Sequence, residues 1–227
     1  MWYKVKRILV GTQQVRPEWN YEYNINFKDY SNISQVQALW WTFDKPSTNE
    51  TTPAVNQTYW FYNSNYPNNV WWCEWNYLIP GISTADKITI SLSWYWPSSS
   101  NSAGHLLVWL TIPQSGGFWT PWLLWYLQFR GNTNDSLVLR NSNSDIWSQN
   151  IGSATAYSWQ CTLTLEIDFV NKLVTYKSTG KSKTWTHALS DSDITLIKTF
   201  THLSVVLNAY SRSAINNQIW TASIKVK

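Results

Sequence analysis

The 227-residue chain has little charge, little sulfur and no long apolar run. Asp, Glu, Lys and Arg make up only 13% of it, and there are two cysteines and one methionine. No stretch approaches the roughly 18 apolar residues that a membrane-spanning helix needs, so membrane insertion is not expected. A single cysteine pair cannot define a disulfide scaffold. We favour buried thiols for Cys73 and Cys161 over a bridge between them.

Basic residues are also few and scattered. The 17 Lys and Arg exceed the 13 Asp and Glu by only four, and the densest basic cluster is Lys4, Lys6 and Arg7. A nucleic-acid-binding surface requires a concentrated basic stripe, so no nucleic-acid partner is expected. The sequence also lacks a Cys-x-x-Cys pair, a spaced histidine pair and a glycine-rich phosphate loop. We therefore expect no metal ion and no cofactor.

Aromatic residues are abundant instead. They account for 17% of the chain, and 18 of them are tryptophan. A disordered chain would have few aromatics and high net charge, so disorder is excluded. Asn, Ser, Thr, Trp and Tyr together favour strands and turns over helices.

Alternation of apolar and polar residues with period two runs through the sequence, which is typical of strands with one buried face. The sequence also predicts a short helix over 190–198, with Ser190 as its N-cap, and a tight hairpin at Asn171-Lys172. The predicted strands cover residues 21–28, 39–43, 59–62, 70–77, 88–96, 106–112, 122–130, 136–139, 162–170, 173–177, 203–210 and 219–226.

These elements indicate an all-β protein, an antiparallel β-sandwich with one short helix. Such sandwiches commonly reach 200–250 residues in one domain, so residues 18–227 are interpreted as a single β-sandwich domain. Residues 1–17 carry the basic cluster and end at Pro17. They are either an N-terminal basic arm or an edge strand of the sandwich.

The order of the last elements is strand, hairpin at 171–172, strand, short helix and two closing strands. This order resembles the concanavalin A-like lectin/glucanase (laminin G-like) jelly roll, in particular the modules of bacteriophage virion and tail proteins. The resemblance implies a non-enzymatic structural and adhesion protein on the exterior or tail of a virion. Its implied partners are copies of itself, other virion proteins and a host-surface glycan, and its alternative location is extracellular or on a cell surface. Two further functions stay open, a stand-alone carbohydrate-binding or receptor-binding module and a jelly-roll glycoside hydrolase.

For the hydrolase, the segment from Glu166 to Phe169 is similar to the Glu-x-Asp strand of one glucanase family with this fold. Retaining glycosidases need two carboxyl groups about 5–5.5 Å apart. Where the family has its second glutamate, this chain has Val170 and Asn171, and an amide cannot act as the general acid. Glu74, which lies among tryptophans, is the other candidate carboxylate, alone or paired with Glu166. We interpret Glu166 and Asp168 as a solvent-facing pair and assign no catalytic residue.

Exposed tryptophans can stack against the apolar face of a sugar ring, and aromatic residues are also favoured at protein interfaces. The predicted strand 122–130 is apolar on both faces, as expected of a central strand or an interface. The candidate glycan-binding residues are Trp119, Trp122, Trp72 and Trp75. The candidate assembly-interface residues are Trp125, Tyr126, Arg7 and Arg16.

Overall fold

The computed structural model describes residues 20–37, 41–42, 53–56, 60–63, 72–95, 105–112, 126–131, 134–141, 144–153, 160–179, 183–208 and 218–227. These residues form an antiparallel β-sandwich, as the alternation predicted. Their strands are β1 (Tyr21–Asn26), β2 (Trp41–Thr42), β3 (Pro53–Asn56), β4 (Trp60–Asn63), β5 (Trp72–Leu78), β6 (Lys87–Tyr95), β7 (His105–Thr111), β8 (Tyr126–Gly131), β9 (Asn134–Asn141), β10 (Ser144–Ser153), β11 (Gln160–Asp168), β12 (Leu173–Ser178), β13 (Lys183–Ala188), β14 (His202–Asn208) and β15 (Gln218–Val226). The α-helices are α1 (Ile33–Gln37) and α2 (Asp191–Ile197), with 3₁₀ turns at Phe27–Asp29 and Ile82–Thr84.

The strands form two sheets. Sheet A has the order β13-β12-β11-β6-β15-β4-β3, with β1 also paired to β15. Sheet B has the order β10-β9-β8-β7-β14-β5-β2. Every strand pair in the described part of the chain is antiparallel, which is the arrangement of a jelly roll rather than of an α/β fold.

The core lies between the sheets and consists of the apolar half of each alternating strand. In β11 the buried residues are Leu163, Leu165 and Ile167, while the intervening threonines and carboxylates are partly exposed. Strands β6, β7, β9, β14 and β15 supply the facing layers, among them Ile90, Val108, Leu137, Val205 and Ile224, none with any exposed surface. Each sheet therefore has one face in the core and one outer face.

The first and last described strands are neighbours. Strand β1 pairs with the second half of β15, from Tyr21 opposite Val226 to Asn26 opposite Thr221. The first half of β15 pairs with β4 instead, through Gln218 and Ile219. The two ends of the described chain thus lie side by side in sheet A.

The hairpin between β11 and β12 is longer than the sequence predicted. Asp168 pairs directly with Leu173, so the loop is the four residues 169–172 rather than two. Lys172 adopts the left-handed conformation with φ +51°. The Asp168 carboxylate accepts hydrogen bonds from the Asn171 backbone and side-chain nitrogens at 2.8 and 2.9 Å. The Asp168 side chain therefore stabilises the four-residue turn.

Helix α2 confirms the helix predicted at 190–198. Ser190 caps it in a capping box, accepting from the Asp193 backbone nitrogen, while the Asp193 carboxylate accepts from the Ser190 backbone. The helix is tied to the hairpin loop, because Lys172 Nζ lies 2.8 Å from Asp191 Oδ1 and Lys198 Nζ lies 4.9 Å from the centre of the Phe169 ring. The segment that follows the hairpin is thereby fixed against it.

Strands β3, β10 and β13 and helix α1 were not predicted. Strands β10 and β13 lie at the ends of sheets B and A, and an aromatic cluster joins them. The ring of Trp147 in β10 lies 4.1 Å from that of His187 and 6.4 Å from that of Trp185, both in β13. This cluster closes one side of the sandwich.

We predict that Ile90→Ala destabilises the protein by about 2–5 kcal/mol, since it leaves a cavity in the inter-sheet core. The control is Thr89→Ala, the adjacent residue of β6 on the outer face, expected to change stability by about 0.5 kcal/mol or less. Urea unfolding followed by tryptophan fluorescence measures both. Equal losses for the two variants would contradict the assignment of faces.

Candidate functional site

The outer face of sheet B concentrates polar and aromatic residues. Val205 and Val108 are buried and lie opposite each other, so the residues that alternate with them occupy the outer register positions of β14 and β7. The same register continues into β5 and β8. We call the outer register positions of these four neighbouring strands the grid. Its central members are Trp72, Glu74 and Asn76 in β5, Ser204, Val206 and Asn208 in β14, His105, Leu107 and Trp109 in β7, and Gln128 and Arg130 in β8.

Trp109 occupies the middle of this grid. It lies in register with Ser204 on one side and Gln128 on the other, and Ser204 is itself opposite Asn76. Strands in a sheet are about 4.8 Å apart, so the row from Asn76 to Gln128 is about 14 Å long. The register thus places a tryptophan between residues with hydroxyl and amide side chains along one row of the sheet.

Described positions around the grid differ in exposure. Val138 in β9, which continues the row beyond Gln128, is half-buried, and Ser148 in β10 after it is exposed. At the other end of β5, Leu78 is 58% exposed beside His202 of β14. Thr111 of β7, in register with His202, is buried, so this end of the outer face is open at Leu78 and covered at Thr111.

His202 occupies an outer register position of this face, opposite Leu78 and Thr111. Partial burial lowers the pKa of its imidazole below the ordinary value of 6.5. Its Nδ1 lies 2.8 Å from the Thr201 hydroxyl. Burial therefore disfavours the charged form of this ring relative to an exposed imidazole.

The outer face of sheet A differs, because its polar groups bind one another. Ser91 and Ser93 of β6 pair with Thr164 and Thr162 of β11 through hydroxyl contacts of 3.0 and 3.2 Å. At the far edge, Lys225 Nζ lies 2.8 Å from Glu22 Oε1. These internal contacts leave this part of the face less free to recognise a ligand.

Glu166 and Asp168 lie on this self-paired face. Their alternation with Leu165 and Ile167 puts both on the outer side of β11, and each is partly exposed. Lys87 Nζ lies 2.7 Å from Glu166 Oε1 and 3.9 Å from Asp168 Oδ2. Both carboxylates therefore serve an ion pair and a turn.

Glu74 and Glu166 do not form a pair. Glu74 is in β5 of sheet B and Glu166 in β11 of sheet A, and packed sheets are about 10 Å apart. Glu74 lies on the outer grid of sheet B, so the two residues occupy opposite surfaces of the sandwich. This separation exceeds the carboxyl spacing of retaining glycosidases, and the suggested pair is wrong.

The structure locates only some of the candidate glycan-binding and assembly-interface residues. Five of them lie outside the described residues and remain predictions: Trp119, Trp122, Trp125, Arg7 and Arg16. Trp72 and Tyr126 occupy outer register positions of sheet B. Trp75 lies opposite Val205 of the core, so its register position is on the inner side of the sheet. Its role as a glycan-binding residue remains a prediction.

Sequence reasoning overlooked Trp109, Gln128 and Arg130. The sequence does contain a pattern that indicates them. In β7, the aliphatic residues Leu106, Val108 and Leu110 alternate with His105, Leu107 and Trp109. Likewise Gln128 and Arg130 alternate with Leu127 and Phe129, so the described part of β8 is polar on one side. Reading residues 122–130 as one strand apolar on both faces concealed this alternation.

No group of three His, Cys, Asp or Glu side chains in the described ranges is arranged to hold a metal ion. None of the helices in those ranges is long and apolar enough to cross a membrane.

No protein-family model matches the chain, and no curated protein matches it. Solved structures do. The carbohydrate recognition domain of Emp46p aligns with a TM-score of 0.55 at 11% identity, covering 88% of this chain and 94% of that one. The endo-1,3-β-glucanase of Streptomyces sioyaensis aligns with 0.56 at 11% identity, covering 95% and 99%. The CBM2 module of the evolved Dit protein of Lactobacillus casei BL23 phage J-1 aligns with 0.55 at 9% identity, covering 91% and 96%.

These likenesses define the fold as the concanavalin A-like lectin/glucanase jelly roll, which the order of the last elements had suggested. The same sandwich carries binding proteins and a hydrolase among these neighbours. Fold alone does not choose between them.

We predict that Asp168→Asn destabilises the protein at pH 7 by about 1 kcal/mol, because hydrogen bonds to a charged acceptor are stronger than those to an amide. The Asn171 backbone N–H, followed by its side chain, holds the pKa of Asp168 below the ordinary 3.8. The stabilisation is therefore present above the unfolded pKa and is lost as pH falls through the lower, folded pKa.

Urea unfolding of wild type and variant at pH 7 and at pH 3 tests this. The difference should shrink at the lower pH. Asn171→Ala, which removes the side-chain donor and keeps the backbone one, should have a smaller effect. A difference that is unchanged between the two pH values would show that the carboxylate charge does not stabilise the turn.

Proposed function

We propose that this chain is a non-enzymatic carbohydrate-binding module that binds glycans on the outer face of sheet B. The observation that carries the proposal is the grid around Trp109, with Ser204 and Gln128 in register on either side and Asn76 beyond Ser204 in the same row. An indole offers an apolar surface to a pyranose ring, and amides and hydroxyls match its ring hydroxyls. Neighbours named as a carbohydrate recognition domain and a CBM2 module support the assignment.

A hydrolase is the less favoured function. The glucanase neighbour shares the fold, but Glu74 is the one acidic residue in the central strands β14, β5, β7 and β8 of the described grid. The nearest other outer carboxylate in the described register is Asp145 of β10, five strands from β5 and thus about 24 Å away. Both classes of glycosidase need two carboxyls within about 10 Å.

The finer proposal is that the module belongs to a virion, as a structural and adhesion component of its tail or exterior that assembles with copies of itself. It is supported by the phage Dit module among the structural neighbours and by the low charge and high aromatic content of the chain. An adhesion protein of this kind gains affinity through several copies acting together.

We predict that the protein binds at least one polysaccharide on an array and that Trp109→Ala weakens this binding tenfold or more, about 1.4 kcal/mol. The control is Trp220→Ala, a half-buried tryptophan of β15 in sheet A, expected to leave affinity unchanged. Melting temperatures of both variants establish that they are folded. If a folded Trp109→Ala variant binds as tightly as wild type, the grid is not the site.

We also predict a stable oligomer in solution. Light scattering after size exclusion should give a multiple of the 26.5 kDa chain mass. A monomer over the whole concentration range would contradict self-assembly and leave the glycan-binding proposal standing.

A further inference from the structure

Strand β13 forms one edge of sheet A, and in the described part of the chain it pairs with β12 alone. Its residues Thr184, Thr186 and Ala188 are exposed. Trp185 and His187, which alternate with them, belong to the aromatic cluster that joins the two sheets. An edge strand presents a row of unpaired backbone groups, which can pair with a strand of another chain.

The hydrogen-bond pattern beside β12 shows which residues of β13 point to the open edge. The Leu189 backbone nitrogen donates to the Lys172 carbonyl oxygen at 2.8 Å, and these two residues continue the register of the β12–β13 pair. Residues of an antiparallel strand alternate between bonding to the partner strand and pointing away from it. The backbone N–H and C=O groups of Thr184, Thr186 and Ala188 therefore point away from β12.

The other edge strands in the described ranges carry features that discourage strand addition. Strand β2 has two residues, and β3 has four and begins at Pro53. Strand β10 is interrupted by two register shifts, and β1 bears Glu22, which pairs with Lys225. Strand β13 has six residues without proline, glycine or a register shift, and its charged residue Lys183 is at its first position. Among these edges, β13 is the best suited to accept another strand.

A second copy of β13 complements this edge. Two such strands can run antiparallel about a two-fold axis at Thr186, so that Thr186 faces its own counterpart and Thr184 faces Ala188 of the second copy. All the outward-pointing residues then pair, and each pair exchanges two hydrogen bonds. Threonines at facing positions of neighbouring strands also stabilise each other.

The two ends of β13 carry opposite charges. The strand begins at Lys183 and ends at Ala188, shortly before Asp191. The Asp191 carboxylate contacts Lys172 Nζ at 2.8 Å, yet its side chain is 84% exposed and is open to a second cation. An antiparallel pair brings the basic start of each strand to the acidic end of the other, whereas a parallel pair would bring like ends together.

We infer that two copies of this chain associate through β13 in this antiparallel register, so that sheet A continues across the dimer. The inference rests on the self-assembly proposed above and names its surface. Facing residues of paired strands lie on the same side of a sheet, so the two-fold axis is perpendicular to sheet A. Both copies therefore present the outer face of sheet B in the same direction. Two glycan-binding faces can then engage one surface together, which strengthens attachment without new contacts.

Analytical ultracentrifugation of the full chain over a range of concentrations tests the surface. Thr186→Lys places like charges face to face at the axis and should raise the dimer dissociation constant roughly tenfold or more. The matched control is Asn24→Lys, which adds the same charge at an exposed position of β1, another edge strand of sheet A. It should leave the dissociation constant unchanged. Melting temperatures establish that both variants are folded.

Cysteine cross-linking tests the register. Thr186→Cys puts two thiols at facing positions, where Cα atoms about 5.5 Å apart lie within the range that a disulfide bridges. This variant should form a covalent dimer under mild oxidation. Thr184→Cys, which faces Ala188 of the second copy, should not, and neither should wild type.

The outcomes separate this inference from the proposals on which it rests. If wild type and Thr186→Lys dimerise equally well, another surface carries the assembly, so the inference is wrong and self-assembly stands. If Thr186→Lys and Asn24→Lys weaken the dimer equally, the effect is general charge repulsion and the inference is again wrong. If wild type is monomeric at every concentration, self-assembly and the inference both fail, even where the edge accepts a strand of a different protein. Glycan binding on an array is a separate readout, and its result leaves the inference unchanged.

Discussion

Burial of one side of every central strand is the constraint on which this structure depends. Side chains alternate with a period of two, so a slip of one residue would exchange the core and outer faces of a whole strand. The aliphatic ladders of β6, β11 and β15 in sheet A and of β7, β9 and β14 in sheet B, all closed to solvent, therefore set the register. Once they are fixed, each remaining polar or aromatic residue has an assigned face.

The two outer faces acquire different chemistry from this single constraint. On sheet A, hydroxyls pair across strands and Lys87 forms an ion pair with Glu166. These polar groups of that surface therefore have partners within the sheet. On sheet B, the outer positions around Trp109 bring together amides, hydroxyls and a guanidinium residue from four strands far apart in sequence. Recognition is proposed on sheet B, where these residues share the outer register positions around Trp109.

Alternation was sufficient to predict the sandwich class and most central strands, and the capping residue Ser190 predicted helix α2. Alternation failed at the edges, because β10 contains glycine and bulges and β13 has only Trp185 and Ala188 as apolar residues. It also failed on the site. Trp72 and Trp75 looked equivalent in sequence, yet an odd spacing of three residues puts them on opposite sides of β5. The grid depends on strand order, and local pattern carries no information about which strands become neighbours.

The pairing of β1 with β15 has a mechanical consequence. Tyr21 lies opposite Val226 and Asn26 opposite Thr221, so the outer ends of both strands meet at one end of the ladder. A force applied through residues 21 and 226 would load the inter-strand hydrogen bonds one after another, as in opening a zipper, rather than all together in shear. If tension enters through only one of residues 21 and 226, the β1–β15 hydrogen bonds are not loaded one after another. In an adhesive assembly, the sandwich would therefore hold best when it is suspended from a single end and the load enters through its ligand.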